Sequence, residues 1–560
     1  MKPSESAAAS AEPPSWSPRR LQVPREHASL LCDPPLREAR ASAAQNVSRL
    51  DDEPLNLQGR ALPHLRRWAR RECLRSAREY TRLLLGRAVA AETDELIECP
   101  LFVAGHQPAL YHPGVWVKNF AIGRLAQGAN GVGLNLVVDN DTFAATAIRV
   151  PSGPRDSLSV VRVPFDAPRP IQPWEDAKIV DRSVFESFSD RVAAAISRSD
   201  QPRVLTEMWA DAVAFQSTSS RLVDCLTAAR QRQERRWGLE NLELPLSRLC
   251  ETEPFLWFAS HLLVQLPRFR DCHNEVLHVY RLLNRVRSRN HPVPELSERG
   301  SWIEAPFWVW RQGAFLRRPV FARQEGRKIA LSDGEREFAR LPLAPDMDAC
   351  CAVEELRRLG SQGIHFRTRA LTTTLFARLC LGDIFVHGIG GAKYDEMTDQ
   401  IIRRFYGIRP PAFLTMSATL HLPIAEPYHV SSEDEQRLLR QLRDTTFNAD
   451  RDELGPAAGP LIAEKQDLIT EQHHARTEGL TRRERRLRAP TNRRRYVRLR
   501  DINARLAHLA VRRQASLSSA LEAVRRQREV NRLLQGREFA YCLYPPALLR
   551  DFFTSALRTD

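Results

Sequence analysis

The chain has 560 residues and a mass of 63.8 kDa, with 43% hydrophobic residues, 27% charged residues and a net charge of +15. That balance fits a soluble globular protein of roughly three or four domains with a core large enough to need no staples. No run of about 18 uncharged apolar residues occurs, which excludes a transmembrane helix.

Residues 1–58 are rich in Ala, Ser and Pro, with proline pairs at 13 and 34, and are expected to form a disordered extension. The first residues lack an apolar stretch of the secretory kind, so the protein is placed in the cytoplasm. The ten cysteines are scattered with no C-x-x-C among them, which suits reduced, buried thiols. Leu62, Leu65, Trp68, Cys73, Leu74, Ala77, Tyr80 and Leu83 then mark a helical stripe.

The next stretch carries the most information. ECPLFVAG (98–105) reads as a strand, HQPALYHPG as a loop, VWVKNFAIGRLAQG as a helix and LNLVVDND as a second strand. Strand, loop, helix and strand within about 45 residues make a βαβ unit, and ligands of such sheets sit outside the carboxyl ends of the strands. A matching unit lies downstream: ALTTTLFARLCLG (370–382) as helix, DIFVHG as strand, a glycine-rich turn opening a helix, and PAFLTMSATL (411–420) as strand. Between the two, helices are expected over 179–234 and 253–289, and APFWVWR, RRPVFAR and KIALSDG read as a small antiparallel patch.

From Ser431 a capping-box start leads into long helices. A helix of some 45 residues is expected after Pro490, with Leu499, Ile502, Leu506 and Leu509 at heptad spacing, a slip, and resumption at Leu517, Leu521 and Val524. Between residues 476 and 528 stand 17 arginines against four acids, a local net charge of +13 that leaves the rest of the chain near neutral. A near-neutral body is not built to be coated by nucleic acid, although this segment suits polyanions. REFAYCLYPPALLRDFF is apolar again and is expected to dock on the body.

The expected fold class is therefore α/β: a Rossmann-like doubly wound parallel sheet with a large inserted region and a C-terminal α-helical coiled-coil arm. The expected divisions are the extension (1–58), the first half of the core (59–154), the insertion (155–355), the second half of the core (356–428), the coiled-coil arm (429–536) and the docking segment (537–560). A C2 homodimer through the arm is expected, with no membrane partner.

GHQPALYHPGVWVKNFAIGRL resembles a motif of the bacillithiol biosynthesis cysteine-adding enzyme family, in which a strand ends in a Gly-Gln-Gln turn before a helix containing Lys. LNLVVDND, RQEGRKIALSDG, IHFRTRALTTTLFARLCLGDIFVHGIGGAKYDEMTD and GREFAYCLYPP resemble further blocks of that family, in the same order over about 90–550. The chain departs from it with His106-Gln107 in place of Gln-Gln, and with Ile389-Gly390-Gly391-Ala392 where the family has Pro-Gly-Glu-Ile. The resemblance implies a core related to class I aminoacyl-tRNA synthetases and nucleotidyltransferases. It also implies joining of cysteine, or a related small amino or carboxylic substrate, to an acceptor in low-molecular-weight thiol synthesis.

On that basis His106, His112 and Lys118 are the expected catalytic residues, placed to meet phosphate or carboxylate charge beside a helix N-terminus. Gly105, Gln107, Asp139, Asp141, Arg369, Gly388, Gly390, Gly391 and Lys393 are the expected substrate- or nucleotide-binding residues. The glycines let backbone amides approach an anion, Arg369 suits a carboxylate, and the two aspartates suit an amine, a ribose hydroxyl or Mg²⁺. No dedicated metal ligand set is expected; ATP or ADP is the candidate nucleotide. Two alternatives stand beside this reading: a non-catalytic nucleotide-binding scaffold acting through its coiled coil, and an RNA-binding protein using the arginine-rich segment.

Overall fold

The computed structural model describes residues 16, 19–87, 93–143, 145–196, 203–452, 454–477 and 481–558. It is a mixed α/β structure that divides into two compact units. The first comprises Met1–Val150, Val160–Leu422 and Arg537–Asp560; the second comprises Pro151–Ser159 and Pro423–Gly536.

In the first unit, strand β1 (Ser29–Asp33) and helices α1 (Ala39–Asp52) and α2 (Leu62–Leu85) precede strand β2 (Leu101–His106). The expected disordered extension is thus corrected over its described part. β1 is an edge strand, and the Asn46 amide of α1 donates to the Asp383 and Ala412 carbonyls, so the segment is tied into the sheet. Residues 1–15, 17 and 18 of that extension lie outside the described residues.

Helix α3 (Pro113–Ala129) follows β2, and strand β3 (Val132–Val137) follows α3. Helix α4 (Leu222–Arg236) leads into strand β4 (Leu242–Pro245), after which come α5 (Glu253–Val264) and α6 (Leu266–Leu283). Strands β5 (Trp302–Arg311), β6 (Arg318–Glu325), β7 (Lys328–Ser332), β8 (Glu337–Pro342) and β9 (Ile364–Thr368) build a second, antiparallel sheet, interrupted by α7 (Cys350–Ser361). Helix α8 (Ala370–Phe376), strand β10 (Ile384–His387), helix α9 (Ile389–Ile401) and strand β11 (Phe413–Thr419) complete the main sheet.

The main sheet has six strands in the order β1-β11-β10-β2-β3-β4, all parallel except β1. The inner strands are apolar and buried along most of their length, the pattern of a sheet covered on both faces. From β2 the chain runs to β3 and β4 on one side and later to β10 and β11 on the other, so the order reverses between β2 and β10. Two expectations are corrected here. The insertion drawn over 155–355 contributes β4 to the main sheet, and the antiparallel patch extends beyond it to β9.

Helix α3 begins where His112 accepts from the Gly114 amide and ends at Asn130 in the left-handed region. A side chain at Gly114 would place its Cβ 2.2 Å from the Ala418 carbonyl, so glycine is what lets α3 start directly over β11. The C-terminal segment packs in the same unit, with Tyr541 on Trp116 (4.2 Å) and Phe553 stacked on Phe120 (4.1 Å).

The second unit contains helices α10 (Ser432–Phe447), α11 (Gly459–Thr477), α12 (Arg482–Leu509) and α13 (Val511–Leu534). The single 45-residue helix expected after Pro490 is corrected. A capping box between Thr481 and Glu484 starts α12 earlier, Pro490 lies inside it, and Ala510 separates it from α13. Ile502, Leu506 and Ala510 pack on Ala449, Ala458 and Leu461, which covers that part of the apolar stripe within the unit. Among the described residues, no helix is long and apolar enough to cross a membrane.

Candidate functional site

The carboxyl ends of β2 and β10 stand side by side, with Ala104 paired to Val386. The turns that follow them contain most of the residues expected to do chemistry. His106 is buried: its Nε2 lies 2.9 Å from Asn119 Oδ1 and 3.2 Å from the Tyr111 hydroxyl, and its Nδ1 lies 3.1 Å from the Gln107 carbonyl. Asn119 in turn donates to Glu234. Burial, with Arg230 and Lys118 nearby, holds the His106 imidazole well below its ordinary pKa and therefore neutral.

His112 caps α3 and meets Arg537 at 3.2 Å; burial and that guanidinium push its pKa down to about 4. Lys118 is buried and donates to the Gly105 carbonyl at 2.8 Å, and burial lowers its pKa to about 8. Across the crevice Gly388 caps α9, and space beside Gly388 and Gly390 is open within 4 Å of where a Cβ would stand. Gly391 is different: a Cβ there would lie 2.8 Å from His387 Nδ1. Lys393 is exposed, one turn into α9.

The remaining expected residues gather around two cavities further along the same edge. The smaller, about 240 Å³, lies beyond β3 and the start of α8, with Asp141, Arg317, Trp308, Arg369 and His273 in its wall. Asp141 is held by the Arg317 guanidinium at 3.0 Å and by the Gln107 amide at 2.5 Å. Arg369 pairs with Glu304 at 2.7 Å. Both guanidiniums face the Trp308 ring, at 5.0 and 4.1 Å from its centroid. Burial brings the His273 pKa down to about 4, so its ring is neutral. Two cations and one carboxylate over an aromatic floor match a small molecule with both a carboxylate and an ammonium.

The larger cavity, about 830 Å³, lies beyond β4 and is lined by charged residues of both signs. Asp139 sits under its wall rather than in it: its carboxylate accepts from the Ser247 amide at 2.8 Å and the Ser247 hydroxyl at 2.5 Å. Burial and the nearby Glu175 charge raise the Asp139 pKa to about 7, against the pull of Ser247 and Arg221. In the wall itself stand Glu175, Asp176, His365 and Arg367, which the sequence reading did not single out.

The structure therefore brings Asp141 and Arg369 to one cavity, with Gln107 donating to Asp141, and leaves His106, His112 and Lys118 inside the protein fabric between β2 and α3. No protein-family model matches the chain, and neither does any curated protein.

Proposed function

We propose that this protein is a ligase or transferase of the bacillithiol cysteine-adding type. It would join cysteine, or a related small amino or carboxylic substrate, to an acceptor in low-molecular-weight thiol-type biosynthesis. The single observation that carries the reading is the convergence of the Asp141–Arg317 pair and the Arg369 guanidinium around Trp308 in the smaller cavity. In this reading Arg317 and Arg369 hold the substrate carboxylate and Asp141 its ammonium. A volume of about 240 Å³ suits an amino acid better than a nucleotide.

The nucleotide-type ligand, ATP or ADP, belongs at the glycine turn. The open space beside Gly388 and Gly390 fits phosphates approaching the first amides of α9, with Lys393 one turn on. His106, turned inward and neutral, is a positioning residue for the 105–112 turn, and Lys118 anchors Gly105 from behind. The same reading classes the main sheet as Rossmann-like, the second unit as a coiled-coil arm, and the protein as a cytoplasmic C2 homodimer.

Thermal-shift screening with ATP, ADP, cysteine and sugar–malate conjugates tests it, because a ligand that binds only the folded state raises apparent stability. A shift with cysteine that Arg369→Gln removes is the expected result. No shift with any of the four would overturn the proposal.

The RNA-binding alternative keeps one specific support: Arg482, Arg483, Arg486, Arg493 and Arg494 are all exposed on α12. Low-salt binding of tRNA that falls steeply as salt rises would favour it.

A further inference from the structure

The larger cavity contains a cluster that the proposed reaction does not use. Glu175 and Asp176 lie on the segment after β3, and His365 lies on β9. Each of the three offers a ligand atom, and these atoms lie within 4.8 Å of one another.

The position of His365 between two carboxylates distinguishes this cluster from an ordinary ion pair. Its Nδ1 is 3.1 Å from Glu175 Oε1, and its Nε2 is 3.5 Å from Asp176 Oδ1. Arg367 Nη2 also approaches Nδ1, at 3.1 Å, and lies 2.7 Å from Glu175 and 2.9 Å from Glu251. The buried Nε2 faces Asp176 Oδ1 across 3.5 Å, longer than an ordinary N–H···O bond and short enough for both atoms to hold one ion.

The surroundings complete a second layer. Arg367 holds both oxygens of Glu175, and Glu175 faces the imidazole Nδ1. The Trp310 indole N–H donates to Asp176 Oδ2 at 2.7 Å, which leaves Oδ1 turned to His365. Carboxylate to histidine to cation, with the ligating carboxylate held by an outer donor, is the arrangement that orients metal ligands in proteins.

We propose that His365 Nε2 and Asp176 Oδ1, with Glu175 as the orienting carboxylate, bind one first-row divalent cation such as Zn²⁺ at the wall of the larger cavity. Mixed imidazole and carboxylate donors suit that class of ion. The remaining coordination positions face a space large enough for water and a polar ligand. This site is separate from the smaller cavity and does not depend on which substrate that cavity takes.

Calorimetric titration of EDTA-stripped full-length protein with Zn²⁺, and with Co²⁺ followed by visible absorption, tests the proposal. One ion per chain is expected, with a Co²⁺ band that His365→Gln abolishes. Asp176→Asn and His365→Gln should each weaken binding at least about tenfold, while Trp310→Phe, which keeps every ligand, should weaken it by about tenfold. Thermal melts in EDTA establish that each variant is folded, and Trp310→Phe decides the matter where a ligand variant is not. His473→Gln/His474→Gln, on the helical second unit, should leave binding unchanged. Absence of stoichiometric binding, or binding that survives both ligand variants or is lost with His473 and His474, would overturn the site and leave Glu175, Asp176 and His365 as a purely structural polar cluster.

Discussion

Two groups of polar residues stand at the carboxyl edge of the main sheet, and they are used in opposite ways. After β2, His106, Tyr111, Asn119 and Glu234 bond to one another inside the protein, and Lys118 donates to the Gly105 carbonyl. After β3, Asp141, Arg317 and Arg369 are held over Trp308 beside an open volume. The difference lies in what is left unsatisfied for a ligand rather than in residue type. A histidine at a strand end whose nitrogens both have partners positions a turn, whereas a guanidinium facing a cavity retains hydrogens that a carboxylate can take.

Breaking the second group should have the largest effect. Arg369→Ala leaves the carboxylate of Glu304, itself about 11% exposed, without its guanidinium. Removal of one partner from such a buried pair costs about 3–5 kcal/mol. Chemical denaturation should show that loss, and cysteine should cease to shift the melt. Glu304→Gln/Arg369→Gln, which removes both charges together, should recover much of the stability and none of the binding.

Asp139 sharpens the comparison through pH. Its folded pKa of about 7 lies above the unfolded value, so the folded state holds a proton that the unfolded chain releases between about pH 4 and 7. Its contribution to stability is present below pH 4 and is lost as pH rises through 7, by up to about 4 kcal/mol. Asp139→Asn should flatten that part of the stability-versus-pH profile measured by urea titration. An unchanged slope would place the proton elsewhere.

Lys118 belongs to the first group and has the opposite sign. Its pKa falls to about 8, so the unfolded chain holds a proton that the folded state gives up between about pH 8 and 10.5. The cost of burying its charge is full below pH 8. Lys118→Met should therefore raise stability at pH 7 by about 2 kcal/mol, allowing for the lost bond to Gly105. A less stable variant would show that the ammonium has further partners.

His112→Ala should have the smallest effect, about 1 kcal/mol, the usual value of a helix N-cap. A much larger loss would mean that the contact with Arg537 matters more than the cap.

Strands β2, β3, β10 and β11 were legible because short apolar runs ending at Gly or acidic residues, alternating with helical spacing, have few other readings. The edge strand β1 was not: SLLCD is five residues long, lies in a segment dominated by Ala, Ser and Pro, and gains its partner from β11 nearly 400 residues away. β4 was hidden similarly, as four residues between helices, its register with β3 set by tertiary contact alone. In the site, Asp141 and Arg369 could be singled out because each flanks a recognisable element. Arg317 and Arg367 could not, since nothing local marks two arginines among 77. Glu175, Asp176 and His365 meet across about 190 residues, and no spacing in the sequence announces it. His106 was conspicuous for its position, but only the packing of Asn119 and Tyr111 reveals that its ring is already occupied.

The smaller cavity is proposed to recognise a carboxylate and an ammonium together. Calorimetric titration of the full chain with cysteine, cysteamine and 3-mercaptopropionate tests it most directly, since the last two each lack one of the two charges. Saturable binding of cysteine, with both analogues weaker by at least about tenfold and Asp141→Asn selectively reducing the preference over 3-mercaptopropionate, is the expected result. Equal binding of all three, or binding of none, would show that the cavity does not recognise the two charges together.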